Sequence, residues 1–149
     1  MSRFLLVAGL FIVQSCHPNK SPLLKDYFFL IGKWNSVGTD LVEEWSLQHD
    51  SLLSKSIIIK NDSLVEVDRS CIVQSGNELY LFTHISSNQR TKYSYLLTYD
   101  MNEKLWVFKN HSAYPQVIHY GYRSVDKTVY SFAINNQTKL EFLFEKINK

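Results

Sequence analysis

The feature that most constrains the fold is a succession of short segments rich in β-branched and aromatic residues, separated by polar turns. Helical periodicity is not sustained for long beyond residue 23. Alternating short segments of this kind indicate β-strands, and the Gly, Asn, Asp and Ser residues between them are typical of turns. The sequence therefore predicts ten strands joined by short connections. They cover residues 31–37, 41–48, 52–60, 64–74, 78–85, 92–99, 105–109, 116–123, 128–134 and 140–147.

The alternation is clearest in residues 92–99, where Tyr93, Tyr95 and Leu97 fall on one face and Ser94 falls on the other. One face of such a strand is expected to pack against a hydrophobic core. An open meander of this length would leave two unpaired edges, and closure into a barrel removes them. We therefore predict an all-β fold, an antiparallel meander closed into a β-barrel of about 8–10 strands, large enough to enclose a small ligand. A β-sandwich is the alternative.

The segment before the first predicted strand, residues 24–30, carries apolar side chains at Leu24, Phe28 and Leu30. It predicts one or two turns of helix. A helix at this position would plug one end of the barrel. We assign residues 24–149 to a single β-barrel domain.

A separate signal lies at the start of the chain, where Arg3 precedes an unbroken apolar run over residues 4–13, followed by Ser15 and Cys16. This layout is typical of a secretory signal peptide. The apolar run is about half the length of roughly 20 residues that a membrane-spanning helix needs. We therefore predict that residues 1–15 are a signal peptide and do not belong to the fold.

The residues around the predicted cleavage point are Val13, Gln14, Ser15 and Cys16, and they resemble the bacterial lipobox. The resemblance implies diacylation of Cys16 and cleavage before it, with residues 16–23 as a lipidated tether. It also implies a lipid-anchored protein in the envelope of a Gram-negative bacterium, at the outer membrane or on its periplasmic side. The alternatives are an ordinary signal peptide with an incidental cysteine and a buried N-terminal helix.

Charge and motifs exclude several classes of function. The formal net charge is +2, loss of Arg3 lowers it by one, and no basic run is present, so we expect no nucleic-acid partner. Once Cys16 is acylated, Cys71 has no second thiol to pair with, and we interpret it as a small buried strand residue. Metal-binding His or Cys spacings, phosphate-binding glycine loops and serine-hydrolase motifs do not occur. We expect no cofactor, no metal and a monomer.

The first predicted strand opens on Gly32, Lys33 and Trp34. This tripeptide resembles the G-x-W motif of lipocalins and related calycin barrels. The resemblance implies that Trp34 packs across the barrel floor beside a basic side chain from the last strand, the position that Lys146 occupies here. Glycine allows the chain to turn close to the indole ring.

A wider pattern comprises residues 30–34, 43–45, 108–110 and 114–120. It resembles an uncharacterised family of bacterial exported, often lipid-anchored, calycin-like domains, and the resemblance covers most of the chain after the signal peptide. It implies a fold and a location, and it implies no established reaction. The loop within residues 110–116 departs from the family pattern, because it is one residue shorter and has Ser-Ala where His-Asp is expected.

The first candidate site residues are Glu43 and Glu44, which lie in the middle of the second predicted strand. Adjacent strand residues point to opposite faces, so one carboxylate faces the barrel interior. An unpaired buried charge is costly, so that group should be paired, protonated or directed at a ligand. Alternation alone does not decide which of the two points inward. The alternative is that one is solvated and the other pairs with a Lys or Arg.

The second group of candidates is the loop that contains Asn110, His111, Tyr114 and Gln116. It is rich in side chains that hydrogen-bond and stack, and loops at a barrel mouth often carry specificity. The alternative is a structural turn in which the Asn110 side chain bonds to backbone.

Together these patterns predict a lipid-anchored protein that binds a small, partly apolar ligand, which contacts Glu43 or Glu44 together with the loop of residues 110–116. The alternative is a structural or interaction lipoprotein whose barrel is filled by its own side chains. A hydrolase or isomerase that uses one of the glutamates with a histidine is a third hypothesis. No catalytic residue is assigned.

Overall fold

The structure, a computed structural model, describes residues 21–60, 63–85 and 92–147. Ten antiparallel strands form a closed barrel in which each strand pairs with its neighbours in sequence and the last pairs with the first. The strands are β1 (Gly32–Ser36), β2 (Leu41–Gln48), β3 (Ser51–Lys60), β4 (Ser63–Ser75), β5 (Glu78–Ile85), β6 (Lys92–Asp100), β7 (Leu105–Lys109), β8 (Val117–Arg123), β9 (Thr128–Asn135) and β10 (Thr138–Lys146).

The predicted fold class, an all-β antiparallel barrel of the calycin or lipocalin-like kind, is confirmed, and the β-sandwich is wrong. Each observed strand lies within two residues of its predicted bounds. The agreement follows from closure: with one face of every strand directed at a shared interior, the period-two pattern is imposed along the whole chain. The predicted signal peptide, residues 1–15, and Cys16 lie outside the described residues.

A short 3₁₀ helix, Leu24–Leu30, precedes β1 and closes one end of the barrel. The Tyr27 ring packs against Phe108 with 5.6 Å between centroids, and the Phe29 ring stacks on Tyr122 at 5.7 Å. Phe28, which we expected on the apolar side of this helix, is 40% exposed, because a three-residue turn rotates it outward. In the described part of the chain, no helix has the length and apolar character needed to cross a bilayer.

We call the end that holds this helix the closed end and the opposite end the open end. The odd-numbered strands run from the closed end to the open end, because β1 follows directly on the helix. The connection between β7 and β8, residues 110–116, therefore lies at the open end. The side chains of the closed half are tightly packed, and those exposed by no more than 1% include Leu30, Leu52, Ile72, Leu79, Leu81 and Phe108.

The floor of the barrel is built around Trp34, which is 2% exposed. Its Nε1 donates a hydrogen bond to the Leu30 carbonyl at 2.6 Å. Lys146 of β10 lies opposite Trp34 of β1 in the strand register. The Lys146 Nζ lies 5.3 Å from the centre of the indole ring and donates to the Ile31 carbonyl at 3.3 Å. This is the arrangement that the G-x-W resemblance implies for Trp34 and Lys146.

Gly32 is required at this corner. Its φ of +133° belongs to a region that side-chain-bearing residues rarely adopt, and a Cβ there would lie 2.9 Å from Cε of Lys146. The absence of a side chain therefore permits both the turn out of the helix and the close approach of the lysine stem to Trp34.

Candidate functional site

The structure shows which face of β2 points inward. Trp45 is 2% exposed, and its ring meets Tyr120 of β8, on the opposite wall, edge to face with centroids 5.5 Å apart. Residues two apart on a strand share a face, so Glu43 also faces the interior. The Trp45 Nε1 donates to Oε2 of Glu43 at 3.0 Å. Glu43 is therefore the inward carboxylate, held by a neighbour on its own strand.

Glu44 faces outward and pairs with Lys55 of β3 at 3.0 Å, with both side chains more than two-fifths exposed. It borders a groove of about 650 Å³ on the outer face of β2–β6, which Lys55, Arg69 and Phe82 also line. The two glutamates that the sequence grouped together thus belong to separate regions of the protein.

A second interior carboxyl, Asp68 of β4, was not singled out from the sequence. The strand register places Glu43 opposite Ser56 and Ser56 opposite Asp68. These three side chains form one row across β2, β3 and β4, which we call the acidic row. Strands are spaced by about 4.8 Å, so the Glu43 and Asp68 backbones lie roughly 10 Å apart. The two acidic side chains share the interior face.

A β-bulge explains why sequence alternation hid Asp68. The pairing of β3 with β4 shifts between Ser56 and Ile57, so that Ser56 lies opposite Asp68 while Ile57 lies opposite Glu66. Val67 is the extra residue. Alternation counted from the start of β4 would direct Asp68 outward, and the bulge reverses the faces from that point. Alternation counted backward from the buried Ile72 directs the Asp68 side chain inward, as the structure shows.

Burial makes both interior carboxyls weaker acids. Desolvation raises the pKa of Glu43 to about 7, although the hydrogen bond from Trp45 lowers it, and the nearby Asp68 raises it further. Desolvation likewise raises the pKa of Asp68 to about 6, against the lowering effect of hydrogen bonds from the Ser70 side chain and the His84 backbone. Tyr120 faces both acids, and burial raises its pKa well above its ordinary value of 10.

The side chains that point inward around these acids are less completely buried than the most buried side chains of the closed end. They keep part of their surface accessible. We call this region the open-end chamber. It is lined by Glu43, Ser56, Asp68, Tyr93, Tyr120 and Phe142. Its wall on β2–β4 is polar, and its wall on β6, β8 and β10 is aromatic.

Within the loop of residues 110–116, two predicted site residues hold the backbone. The Asn110 amide donates to the Ser94 carbonyl at 2.8 Å and accepts from the Ser112 N–H at 2.8 Å. The Gln116 amide donates to the His111 carbonyl at 3.2 Å and accepts from the Asn136 N–H at 3.1 Å. These contacts match the alternative interpretation of the loop, a structural turn in which the Asn110 side chain bonds to backbone.

The other two predicted loop residues point to solvent. His111 is exposed, and Tyr114 is 66% exposed. The loop reaches the interior at a different point: the Tyr95 hydroxyl donates to the Pro115 carbonyl at 3.1 Å. Burial raises the pKa of Tyr95 to about 12, and the charge of the nearby Asp68 raises it further. Tyr95 therefore connects the loop to the acidic row, and no described loop side chain bonds to Glu43.

The described histidines do not meet Glu43. His84 and His119 lie on outward-facing positions of β5 and β8, and the His119 Nδ1 donates to the Trp106 carbonyl at 2.9 Å. Burial lowers the pKa of His119, so its ring is neutral at pH 7. Over residues 21–60, 63–85 and 92–147, no group of three or more His, Cys, Asp or Glu side chains is arranged to hold a metal ion.

No protein-family model, curated protein or solved structure matches the chain. The resemblances drawn from short motifs therefore stay predictions. The barrel geometry and the chemistry of the open-end chamber are the observations that bear on function.

Proposed function

We propose that this protein is a lipid-anchored envelope protein that binds a small, partly apolar ligand in the open-end chamber of its barrel. The observation that carries the ligand-binding part is the contrast between the two halves of the interior. Leu52, Ile72 and Leu81 in the closed half are fully buried, whereas Glu43, Asp68 and Tyr120 stay partly accessible although they point inward.

The composition of the chamber supports a ligand that is apolar over most of its surface and polar at one point. Ligand sites are typically apolar concavities with a few convergent polar groups. Tyr93, Tyr120 and Phe142 offer ring faces, and Glu43 and Asp68 offer acceptors on the opposite wall. Tyrosine suits such a wall because its ring is apolar and its tip forms a hydrogen bond.

The anchoring part depends on the sequence of residues 1–16. A short apolar run after Arg3 and the lipobox-like residues before Cys16 support export and acylation. The first described residue, Ser21, leads directly into the helix at the closed end. An anchor at Cys16 would attach the barrel to the membrane from that end.

Native mass spectrometry of the protein purified from its own host tests the ligand-binding part. We expect a bound small molecule that dissociates on denaturation. Ser56→Phe, which fills the chamber from the middle of the acidic row, should abolish the bound mass. The matched change Ser46→Phe, at an exposed outward position of β2, should retain it.

A protein that carries no small molecule, and that takes up none from an extract of its host, would contradict the proposal. The barrel would then be filled by its own side chains and hydration water. The interaction lipoprotein predicted as the alternative would replace it.

A further inference from the structure

Among the described residues, two acids, Glu43 and Asp68, face the interior of the barrel, and no base lies near enough to balance them. Among the described residues, every Lys and Arg side chain is exposed except Lys109, which pairs with Asp100 on the outer surface at 3.3 Å. Lys146 is held at the closed end against Trp34. No described cationic side chain acts on the pKa of Glu43 or of Asp68.

Hydrogen bonding within the protein leaves this acidic row incompletely satisfied. Oε2 of Glu43 accepts from Trp45, and none of the described residues donates to Oε1. Asp68 accepts a long bond of 3.4 Å from the Ser70 hydroxyl and a second hydrogen bond from the His84 backbone. Buried carboxylates in proteins normally meet several donors or a counter-charge.

A separate observation on the same face is a buried hydroxyl without a hydrogen-bond partner in the described part of the chain. Ser36, on the interior face of β1, is 1% exposed, and its Oγ has no hydrogen-bond partner among the described residues. Trp34 lies opposite Glu43 in the strand register, so Ser36, two residues further along β1, is the diagonal neighbour of Glu43 on the same face.

We propose that the ligand of the open-end chamber is an organic cation, an ammonium or guanidinium group on an apolar body, and this rests on the proposed binding function. The cationic group lies between Glu43 and Asp68 and donates to Oε1 of Glu43 and to the Asp68 carboxylate. The apolar body lies against Tyr120 and Phe142.

Two physical effects favour this class of ligand over others. A cation neutralises two carboxylates to which no described side chain supplies a counter-charge, and hydrogen bonds to charged groups are stronger than neutral ones. The faces of aromatic rings attract cations, and the wall opposite the acids is made of such rings. A carboxylate or phosphate ligand would meet two negative groups and no described interior cation, so it is disfavoured by charge.

The test compares three probes that share a naphthalene ring and differ in the polar group: 2-(1-naphthyl)ethylamine, 2-(1-naphthyl)ethanol and 1-naphthaleneacetate, a carboxylate. A second series of decylamine, decanol and decanoate covers a flexible body. Binding to the full chain is measured by isothermal titration calorimetry at pH 8, where the amines are protonated. We expect the amine of a series to bind about 10-fold or more tightly than the alcohol, and the acid to bind most weakly.

Variants locate the effect. Glu43→Gln and, separately, Asp68→Asn should lower amine affinity about 10-fold and change alcohol affinity by less than about 2-fold. Glu44→Gln, on the outer surface, is the matched control and should change neither. Equal binding of amine, alcohol and acid, or an amine preference that survives both interior variants, would overturn the inference and leave the proposed function standing. Failure of all six probes to bind would overturn both.

Discussion

Replacing Glu43 with Gln should stabilise the fold at alkaline pH and leave its stability unchanged in acid. Glutamine has nearly the same size and keeps an oxygen that accepts the hydrogen bond from Trp45. The substitution therefore removes the ionisable group with little change in packing. Its effect on the free energy of unfolding should follow the ionisation of this one carboxyl.

The pKa of Glu43 is raised from 4.5 to about 7. Each factor of ten in an acid-dissociation constant corresponds to about 1.4 kcal/mol, so ionisation of this carboxyl in the fold costs about 3 kcal/mol more than in the unfolded chain. Part of the side chain stays accessible, so we expect about 2 kcal/mol to be measured. A raised folded-state pKa means that the unfolded chain loses its proton first. Stability is therefore full below about pH 4.5 and falls as the pH rises to about 7.

Urea denaturation followed by tryptophan fluorescence between pH 4 and pH 9 measures this difference. The Glu43→Gln protein should match the parent at pH 4 and exceed it by about 2 kcal/mol at pH 8. Glu44→Gln is the control: it removes an exposed ion pair with Lys55 and should cost no more than about 1 kcal/mol above pH 6. Equal stabilities of the parent and Glu43→Gln proteins at pH 8 would refute desolvation as the cause.

Three further changes test the floor of the barrel and the anchor. Trp34→Ala should destabilise the fold by about 3–5 kcal/mol in chemical denaturation, because it removes a large buried ring, and a loss below about 1 kcal/mol would contradict its role in the floor. Gly32→Ala should cost about 3 kcal/mol, from its φ of +133° and displacement of Lys146, whereas Gly38→Ala, at φ +78° in open space, should cost about 1 kcal/mol. Equal losses at the two glycines would show that the lysine contact is unimportant. Cys16→Ser should release the protein from membranes, because stable anchoring needs more than one acyl chain, and retention after a carbonate wash would refute lipidation.

The strands were predictable because each carries its own local signal. Alternation in β6, with Tyr95 and Leu97 buried on one face, is visible without knowledge of the partner strand. Closure followed from the need to cover the edges. The direction of Glu43 did not follow in the same way, because both faces of β2 carry apolar residues and the buried Val42 lies on the outward face. Only the contact of Trp45 with Tyr120, far apart in sequence, identifies the interior.

The alternation of polar and apolar residues along the sequence could not identify the acidic row. Asp68 depends on a bulge, which is a property of the pairing between β3 and β4 and has no local sequence mark. The role of the loop of residues 110–116 stayed open in the sequence for another reason. Asn and Gln are equally suited to ligands and to backbone groups, and at Asn110 and Gln116 neighbouring backbone already occupies the amides.

The helix at the closed end would also determine the route by which the proposed ligand enters and leaves the barrel. Ser21 leads into this helix, so a tether from an acylated Cys16 would hold the barrel as a cup with its base toward the bilayer and its rim toward the aqueous compartment. Leu30 and Trp34, both nearly inaccessible, block passage through the base. A molecule dissolved in the membrane would then have to leave the lipid and cross water before capture. Exchange would occur at the open end, so the rates of loading and release would depend on the connections at the rim and not on the composition of the membrane.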